Sequence, residues 1–317
     1  MEHTNNSLIH TKIKDNISKV IVGQEDKITL LLTAMLAKGH ILLEDTPGTG
    51  KTMLAKALAA SINGEYKRVQ FTPDLLPSDV TGINIYNQKT QEFQYIPGPV
   101  FANILLADEI NRATPRTQSC LLEAMAERQV TTDGTTRPLP DLFFLIATEN
   151  PMETIGTFPL PEAQIDRFDL KLSLGFPTPE EELAIMNRFI DNDPITTLKP
   201  VCSPEDIVAL QNEVTTVFIH DELKNYIIHI IQATRHHEKI ALGINPRGTL
   251  SLMRLSQAYA LLNGRHYVIP EDIKYLVKPC LGHRLLSFHT TTGQTMGLSI
   301  LDDIMSTIQV PTENFQQ

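Results

Sequence analysis

The sequence predicts an α/β fold, with a mostly parallel sheet between helices over residues 1–200 and a smaller all-helical domain over 201–317. Three observations carry this expectation. Short, nearly continuous apolar strands alternate with segments of helical period, the pattern of a sheet covered on both faces. A glycine-containing loop separates the first of these strands from a helix. Beyond Pro177 the pattern turns helical.

Taken in order, residues 11–38 read as two helices. The second, Glu25 to Lys38, places Ile28, Leu31, Leu32, Met35 and Leu36 on one face at the helical repeat, and Gly39 stops it. His40–Glu44 is the first strand, and Thr52–Ile62 the helix after the glycine loop. Tyr66–Phe71 is the next strand. Ile83–Tyr95 alternates around a polar turn and reads as a hairpin. Asn103–Asp108 is a further apolar strand, followed by a helix from Pro115 to Arg128 with proline near its first turn. Gln129–Pro140 contains Asp133-Gly134, a strong hairpin turn because both central residues need positive φ. Asp141–Thr148 and Leu170–Phe176 complete the sheet. Thr178, followed by proline and three glutamates, caps a helix reaching about Ile190. Asp191–Pro200 reads as a linker, and helices start near Ser203, Asp221, Pro246, Pro270 and Gly297.

Composition narrows the function. At 317 residues and 42% hydrophobic content the chain has material for a buried core. No stretch approaches the roughly 18 apolar residues of a membrane span. The first residues lack a basic segment followed by an apolar one, so the cytoplasm is the default location. A net charge of −10 and scattered Lys and Arg argue against a protein whose main task is gripping nucleic acid. Cys120, Cys202 and Cys280 are widely separated and are expected as unpaired, mostly buried thiols.

The chemistry concentrates in one loop and the strand ends around it. Thr46-Pro47-Gly48-Thr49-Gly50-Lys51-Thr52 lies between a strand and a helix. Glycines let backbone amides approach phosphate oxygens, and the following helix points its positive end at the anion. Lys51 supplies charge to the β- and γ-phosphates, and Thr52 offers a hydroxyl to Mg²⁺. Asp45 stands where glycine is usual, and an acid so near phosphate must point away. Asp108 and Glu109 end an apolar strand, where α/β sheets bind ligands. Asp108 suits a water-mediated Mg²⁺ contact, and Glu109 the polarisation of an attacking water. Asn150 closes the next strand and could orient that water; alone, such an asparagine is more often a turn or cap residue. Arg167 could serve a neighbouring subunit's nucleotide or pair with Asp166 or Glu162. Arg247, at a helix start in the second domain, could reach across to the γ-phosphate or simply be solvated.

These motifs, in this order, resemble an AAA+ P-loop ATPase, and Val22-Gly23-Gln24 is similar to the segment lining the adenine in that superfamily. Further segments narrow the resemblance to the MoxR family: Phe71-Thr-Pro-Asp-Leu-Leu-Pro-Ser-Asp79, Pro97-Gly-Pro-Val-Phe-Ala102, Ala107-Asp-Glu-Ile-Asn-Arg112, Leu121–Val130, Thr148-Glu-Asn-Pro151, Leu160–Phe168, Asn245-Pro-Arg247 and Gly264–Asp272. The match spans roughly residues 20–285. It implies an AAA+ core with a helix-2 insert near 80–98 and a pre-sensor hairpin near 129–140, then a helical lid. It further implies Asn150 as sensor 1, Arg247 as sensor 2 and Arg167 as an arginine finger acting in trans. ATP and Mg²⁺ would be the cofactors, and the working form a ring, commonly a hexamer. The expected role is chaperone-like remodelling, often with a partner that carries a von Willebrand factor A domain, here necessarily a separate chain. A metal-chelatase ATPase subunit, a nucleic-acid motor and a non-hydrolysing scaffold are the competing readings.

Overall fold

The computed structural model describes residues 3–151, 156–190, 193–288, 293–312 and 315. Its first helices are α1 (His3–Ser18) and α2 (Glu25–Leu36). The sheet strands β1 (Ile41–Glu44) and β2 (Tyr66–Gln70) are joined by α3 (Lys51–Ser61). After α4 (Pro77–Thr81) comes a hairpin of β3 (Gly82–Asn87) and β4 (Glu92–Pro97). Next are β5 (Ile104–Asp108), α5 (Pro115–Glu127) and a second hairpin, β6 (Gln129–Thr132) with β7 (Thr135–Pro138). Strand β8 (Phe144–Glu149), the short α6 (Glu162–Ile165), β9 (Leu170–Leu172) and α7 (Pro179–Arg188) finish the core.

The five sheet strands pair in the order β2-β5-β8-β1-β9, all parallel. Alternation along each strand sends side chains to two apolar layers. Ile41, Leu43, Leu106 and Ile146 face the layer with α1, α2 and α3, while Leu42, Leu105, Leu145 and Ala147 face the layer with α5. Both faces are covered, which is why these strands read as unbroken apolar runs.

The helical C-terminal part contains α8 (Pro204–Val214), α9 (Asp221–His236), β10 (Ile240–Leu242), α10 (Pro246–Leu262), α11 (Pro270–Leu281), β11 (Leu286–Ser287) and α12 (Gly293–Thr307). The architecture changes near residue 200, but the apolar core does not stop there. Buried side chains of α2 share one cluster with those of α8 and α10, and Gln211 Nε2 donates to the Met35 carbonyl at 2.8 Å. Among the described residues no helix is long and apolar enough to cross a membrane.

Three elements differ from expectation for local reasons. The fifth strand was expected to reach Phe176 and stops at Leu172. The backbone N–H groups of Leu174 and Gly175 donate instead to the Asp45 carboxylate, at 2.7 and 3.0 Å, so they leave the ladder. The last helix starts at Gly293, four residues before Gly297. Gly297 lies inside that helix, and an added Cβ would make only an ordinary contact with the Gly282 carbonyl oxygen, at 3.4 Å. The linker carries a short 3₁₀ turn, Pro194–Thr197. The hairpins are tied together: Asn84 Nδ2 donates to Asp133 Oδ2 at 2.6 Å, and the Arg137 guanidinium lies 3.7 Å over the Tyr95 ring.

Candidate active site

The glycine loop joins β1 to α3. Gly48 and Gly50 take φ of +88° and +91°, with open space where a Cβ would stand, so the backbone amides there are accessible to an anion. Helix α3 begins at Lys51 and directs its positive end at the loop. Lys51 Nζ arches back and donates to the carbonyls of Asp45 at 2.7 Å and Thr46 at 3.2 Å. Burial lowers the Lys51 pKa, while the charges of Asp45, Asp108 and Glu109 oppose that shift. Both strand-end acids therefore act electrostatically on the loop lysine. Thr52 lies half-buried in the first turn of α3. Asp45 points away from the loop, as expected, and accepts from Ser173 Oγ and two backbone amides after β9.

Sheet order brings the remaining groups alongside. Strands β5, β8 and β1 are neighbours, so their carboxyl ends lie about 4.8 Å apart in succession. Asp108–Glu109, Thr148–Asn150 and the phosphate loop follow those three ends. The two acids are held by Arg68 and Gln70, which lie outside the sequence motifs, and by Thr148 and Arg112, which lie within them. Arg68, on the edge strand β2, donates to Asp108 Oδ2 through Nη2 at 2.6 Å and Nε at 3.1 Å. Gln70 Nε2 donates to Glu109 Oε2 at 2.7 Å, and Arg112 Nε lies 3.0 Å from the same oxygen. Thr148 Oγ1 donates to Asp108 Oδ1 at 2.6 Å and accepts from the Glu109 backbone N–H at 2.8 Å. Glu109 has φ of +54°, a left-handed conformation costly for a non-glycine residue, and the Thr148 bond helps hold it. Only the β2-β5-β8 pairing brings Arg68, Gln70 and Thr148 to the acids, whereas Arg112, three residues after Glu109, is a local partner.

Thr148→Val removes one hydroxyl at nearly constant volume and leaves buried Asp108 Oδ1 and the Glu109 N–H without this partner. The expected cost is about 2 kcal/mol of stability, read from chemical denaturation. ATP turnover should fall with it, since both acids lose a restraint.

Beside Asn150, Glu149 ends β8 and pairs in register with Glu44. Burial raises its pKa to about 7, with the Lys171 ammonium opposing the shift and the Glu44 charge adding to it. The folded pKa is raised, so the stabilising protonated state is fully present below the ordinary 4.5 and is lost as pH rises through about 7. Glu149→Gln should therefore stabilise the protein at pH 8, by roughly 1–3 kcal/mol, and change little at pH 4. Denaturation midpoints at the two pH values test the sign.

A cavity of about 180 Å³ adjoins the glycine loop, lined by Val20 to Val22, Gly48 to Gly50, Met53, Ile185 of α7 and Phe189 just beyond it. Its apolar walls suit a flat heterocycle. Gly23 (φ +71°) passes so close to α7 that a Cβ would stand 1.8 Å from Glu181 Oε1. Val22, from the segment singled out in the sequence, lines this cavity; α7 as the opposite wall required the fold. A larger cleft of about 510 Å³ between α4, α5 and β6 lacks the phosphate loop and the strand-end acids.

The two arginines do not join this cluster. Arg167 Nη1 donates to the Leu122 carbonyl at 2.6 Å and is not engaged by Asp166 or Glu162. Arg247 Nη1 lies 3.6 Å from Asp166 Oδ2, and Arg284 Nε 3.2 Å from Asp166 Oδ1. The segment 166–169 precedes β9, and the Asp169 N–H donates to the His40 carbonyl at the start of β1. The glycine loop follows the far end of that parallel strand, on the order of 15 Å away at about 3.3 Å per residue. In this structure Arg247 is thus turned toward Asp166, before β9.

Residues 40–170 match the model of the ATPase family associated with various cellular activities (AAA), and residues 232–303 match the AAA lid domain. The chain is 52% identical over 303 residues to YeaC of Bacillus subtilis, covering 95% of each chain. It is 39% identical to Chaperone MoxR1 of Mycobacterium tuberculosis, covering 94% of this chain and 81% of that one. A crystal structure of a candidate ATPase from Cytophaga hutchinsonii superposes with a TM-score of 0.90 at 37% identity, over 98% and 97% of the two chains. Likeness to the magnesium-chelatase 38 kDa subunit of Chlorobaculum parvum is weaker, at 26% identity, and does not favour the chelatase reading. With a phosphate loop, two strand-end acids and an apolar slot assembled at one end of the sheet, and with these relatives along its whole length, the chain belongs to the MoxR family of AAA+ ATPases.

Proposed function

We propose that this ATPase is Mg²⁺-dependent, works in the cytoplasm as a nucleotide-assembled ring, expected as a hexamer, and uses ATP hydrolysis to remodel or mature a separate client protein. The observation that carries the reading is the convergence of the glycine loop, Asp108–Glu109 and Asn150 at adjoining strand ends.

The residues fit the metal: one hydroxyl (Thr52) and one carboxylate (Asp108) beside phosphate oxygens make a hard-oxygen donor set. When bound, Mg²⁺ would neutralise charge on the phosphates. The chain's own groups do the rest. Val22 and Gly23 wall the adenine. Thr46, Pro47, Gly48, Thr49 and Gly50 wrap the phosphates, and Lys51 offsets their charge. Glu109 accepts a proton from the attacking water, which the Asn150 amide orients. Arg167 and Arg247 serve the nucleotide of the adjacent subunit, since their own loop is at the other end of the sheet. Lid and core are tied where this arginine edge lies, through Arg247 and Arg284 on Asp166 and Ser251 on Asp169. A change at the neighbour's phosphate is thereby felt by the lid. The two linked hairpins then pass motion to the client. The name of the mycobacterial relative supports a chaperone-like task.

Phosphate release, measured against protein concentration with Mg²⁺ and with EDTA, tests the first part. Turnover should require the metal and rise more than proportionally with concentration. Affinity capture on a hydrolysis-deficient form with ATP tests the second. A partner carrying a von Willebrand factor A domain is the expected catch. The acidic balance of the chain disfavours nucleic acid as the client.

A further inference from the structure

The cavity that suits a base takes its walls from separate parts of the chain. Gly48 to Gly50 belong to the phosphate loop, Val20 to Val22 and Gln24 to the segment before α2, and Gly175, Pro177 and Ile185 to the path from β9 into α7. The segment before α2 is bonded to that path. Gln24 Nε2 donates to the Leu174 carbonyl at 3.1 Å, and Arg188 Nη1 to the Ser18 carbonyl at 2.6 Å. The phosphate loop is bonded to the same path through Asp45. Pairing of β9 with β1 ends at Leu172, opposite Leu43. Just beyond it the Asp45 carboxylate takes over. Oδ1 accepts from Ser173 Oγ at 2.8 Å and the Gly175 N–H at 3.0 Å, and Oδ2 from the Leu174 N–H at 2.7 Å.

An acid at this position works against the ligand. Asp45 immediately precedes the loop, and its charge opposes that of a triphosphate. It is nevertheless buried, at 5% exposure, and turned to donors that only a carboxylate satisfies. An amide fails in either orientation. Its NH₂ group would face the Leu174 N–H in one and the Gly175 N–H in the other, donor against donor. Bonds to a buried carboxylate are also the strong kind. Asp45 is fixed from the loop side as well, because Lys51 Nζ donates to its carbonyl at 2.7 Å. One residue therefore joins the loop lysine to the segment that carries Gly175 and Pro177.

We propose that Asp45 is a positioning residue for the nucleotide base. By holding segment 173–175 to the start of the phosphate loop, it sets the Gly175–Pro177 wall at the spacing that lets one nucleotide fill both sites. The proposal rests on the ATPase reading above and deepens it. Asp45 touches neither base nor phosphate and acts through this segment. The preference for ATP over bare inorganic triphosphate therefore depends on it.

The test is calorimetric titration of the full chain with ATP and, separately, with inorganic triphosphate, both with Mg²⁺. In Asp45→Asn, ATP should bind about tenfold more weakly, the size of one charged hydrogen bond lost. Inorganic triphosphate should bind as well as before or more tightly, since a nearby negative charge is gone. A residue that only tuned charge would tighten both ligands. One that only supported the fold would weaken both. Either result would overturn the proposal. Ser173→Ala removes one donor and keeps both backbone bonds, so it should fold even if Asp45→Asn does not. Its preference for ATP should fall about threefold, with triphosphate affinity retained. An unchanged preference in either folded variant would overturn the proposal, as would a wild-type chain that binds triphosphate as tightly as ATP. A wild-type chain that binds neither ligand would instead remove the ATPase reading itself.

Discussion

Glu109→Gln should reduce ATP turnover by at least about 100-fold, the lower bound for loss of a positioned general base, while ATP affinity changes little. Glutamine keeps the shape of the side chain and a carbonyl that can accept from Gln70 Nε2, now 2.7 Å from Glu109 Oε2. Its oxygen cannot take a proton from water. The phosphate-binding parts, the loop at 46–52 and its lysine, are untouched by the change. The charge pairing with Arg112 is weakened, but this ion pair is partly exposed, so the fold should lose about 1 kcal/mol or less. Phosphate release and fluorescent-nucleotide titration on one preparation separate chemistry from binding. Near-normal turnover would remove Glu109 as the base. Loss of ATP binding would show that the acid shapes the pocket instead.

The second large effect is expected from Arg167→Ala. An arginine finger is worth about 10³ to 10⁵ in rate, and in the proposed ring Arg167 would supply it from the neighbouring subunit. Within its own subunit Arg167 gives one bond to the Leu122 carbonyl, so the variant should fold with a loss of about 1 kcal/mol. The distinguishing measurement is complementation. Arg167→Ala subunits retain Lys51, and Lys51→Ala subunits retain Arg167. Each alone should be nearly inactive. Mixed with Mg²⁺ and ATP, they should recover activity well above the sum of the two, because some interfaces then pair an intact loop with an intact finger. A mixture no more active than its parts, from subunits shown to co-assemble, would place the arginine's action within its own chain. Arg247→Ala should behave the same way to a smaller extent, since it shares the same edge through Asp166.

Much of the core was legible because its signals are local. Asn103–Asp108 and Asp141–Thr148 read as strands from unbroken apolar character, and they form the sheet centre as β5 and β8. Thr178 and Glu181 announced a helix start that the capping box realises. Asp133-Gly134 announced a hairpin turn, and both residues have positive φ. Where expectation failed, a distant partner intervened. The chain after Leu172 has strand composition, but Asp45, from another strand, takes its backbone donors. Gly297 looked like a helix start, but the helix already runs from Gly293.

By itself the sequence determined the chemistry available: a glycine loop with lysine and threonine, paired acids after an apolar strand, an asparagine after the next, and the family that combines them. These are encoded in runs of a few residues whose spacing and side-chain types suffice. Only the tertiary structure decided who holds those groups and from which side they are served. Arg68, Gln70 and Thr148 reach the acids through strand pairing across the sheet. Arg247 and Arg284 meet at Asp166, beside Arg167 in the chain, because parallel strands put the residues before β9 at the opposite end from the residues after β1. Direction along a sheet is a property of pairing, and pairing is fixed by contacts between residues far apart in the chain.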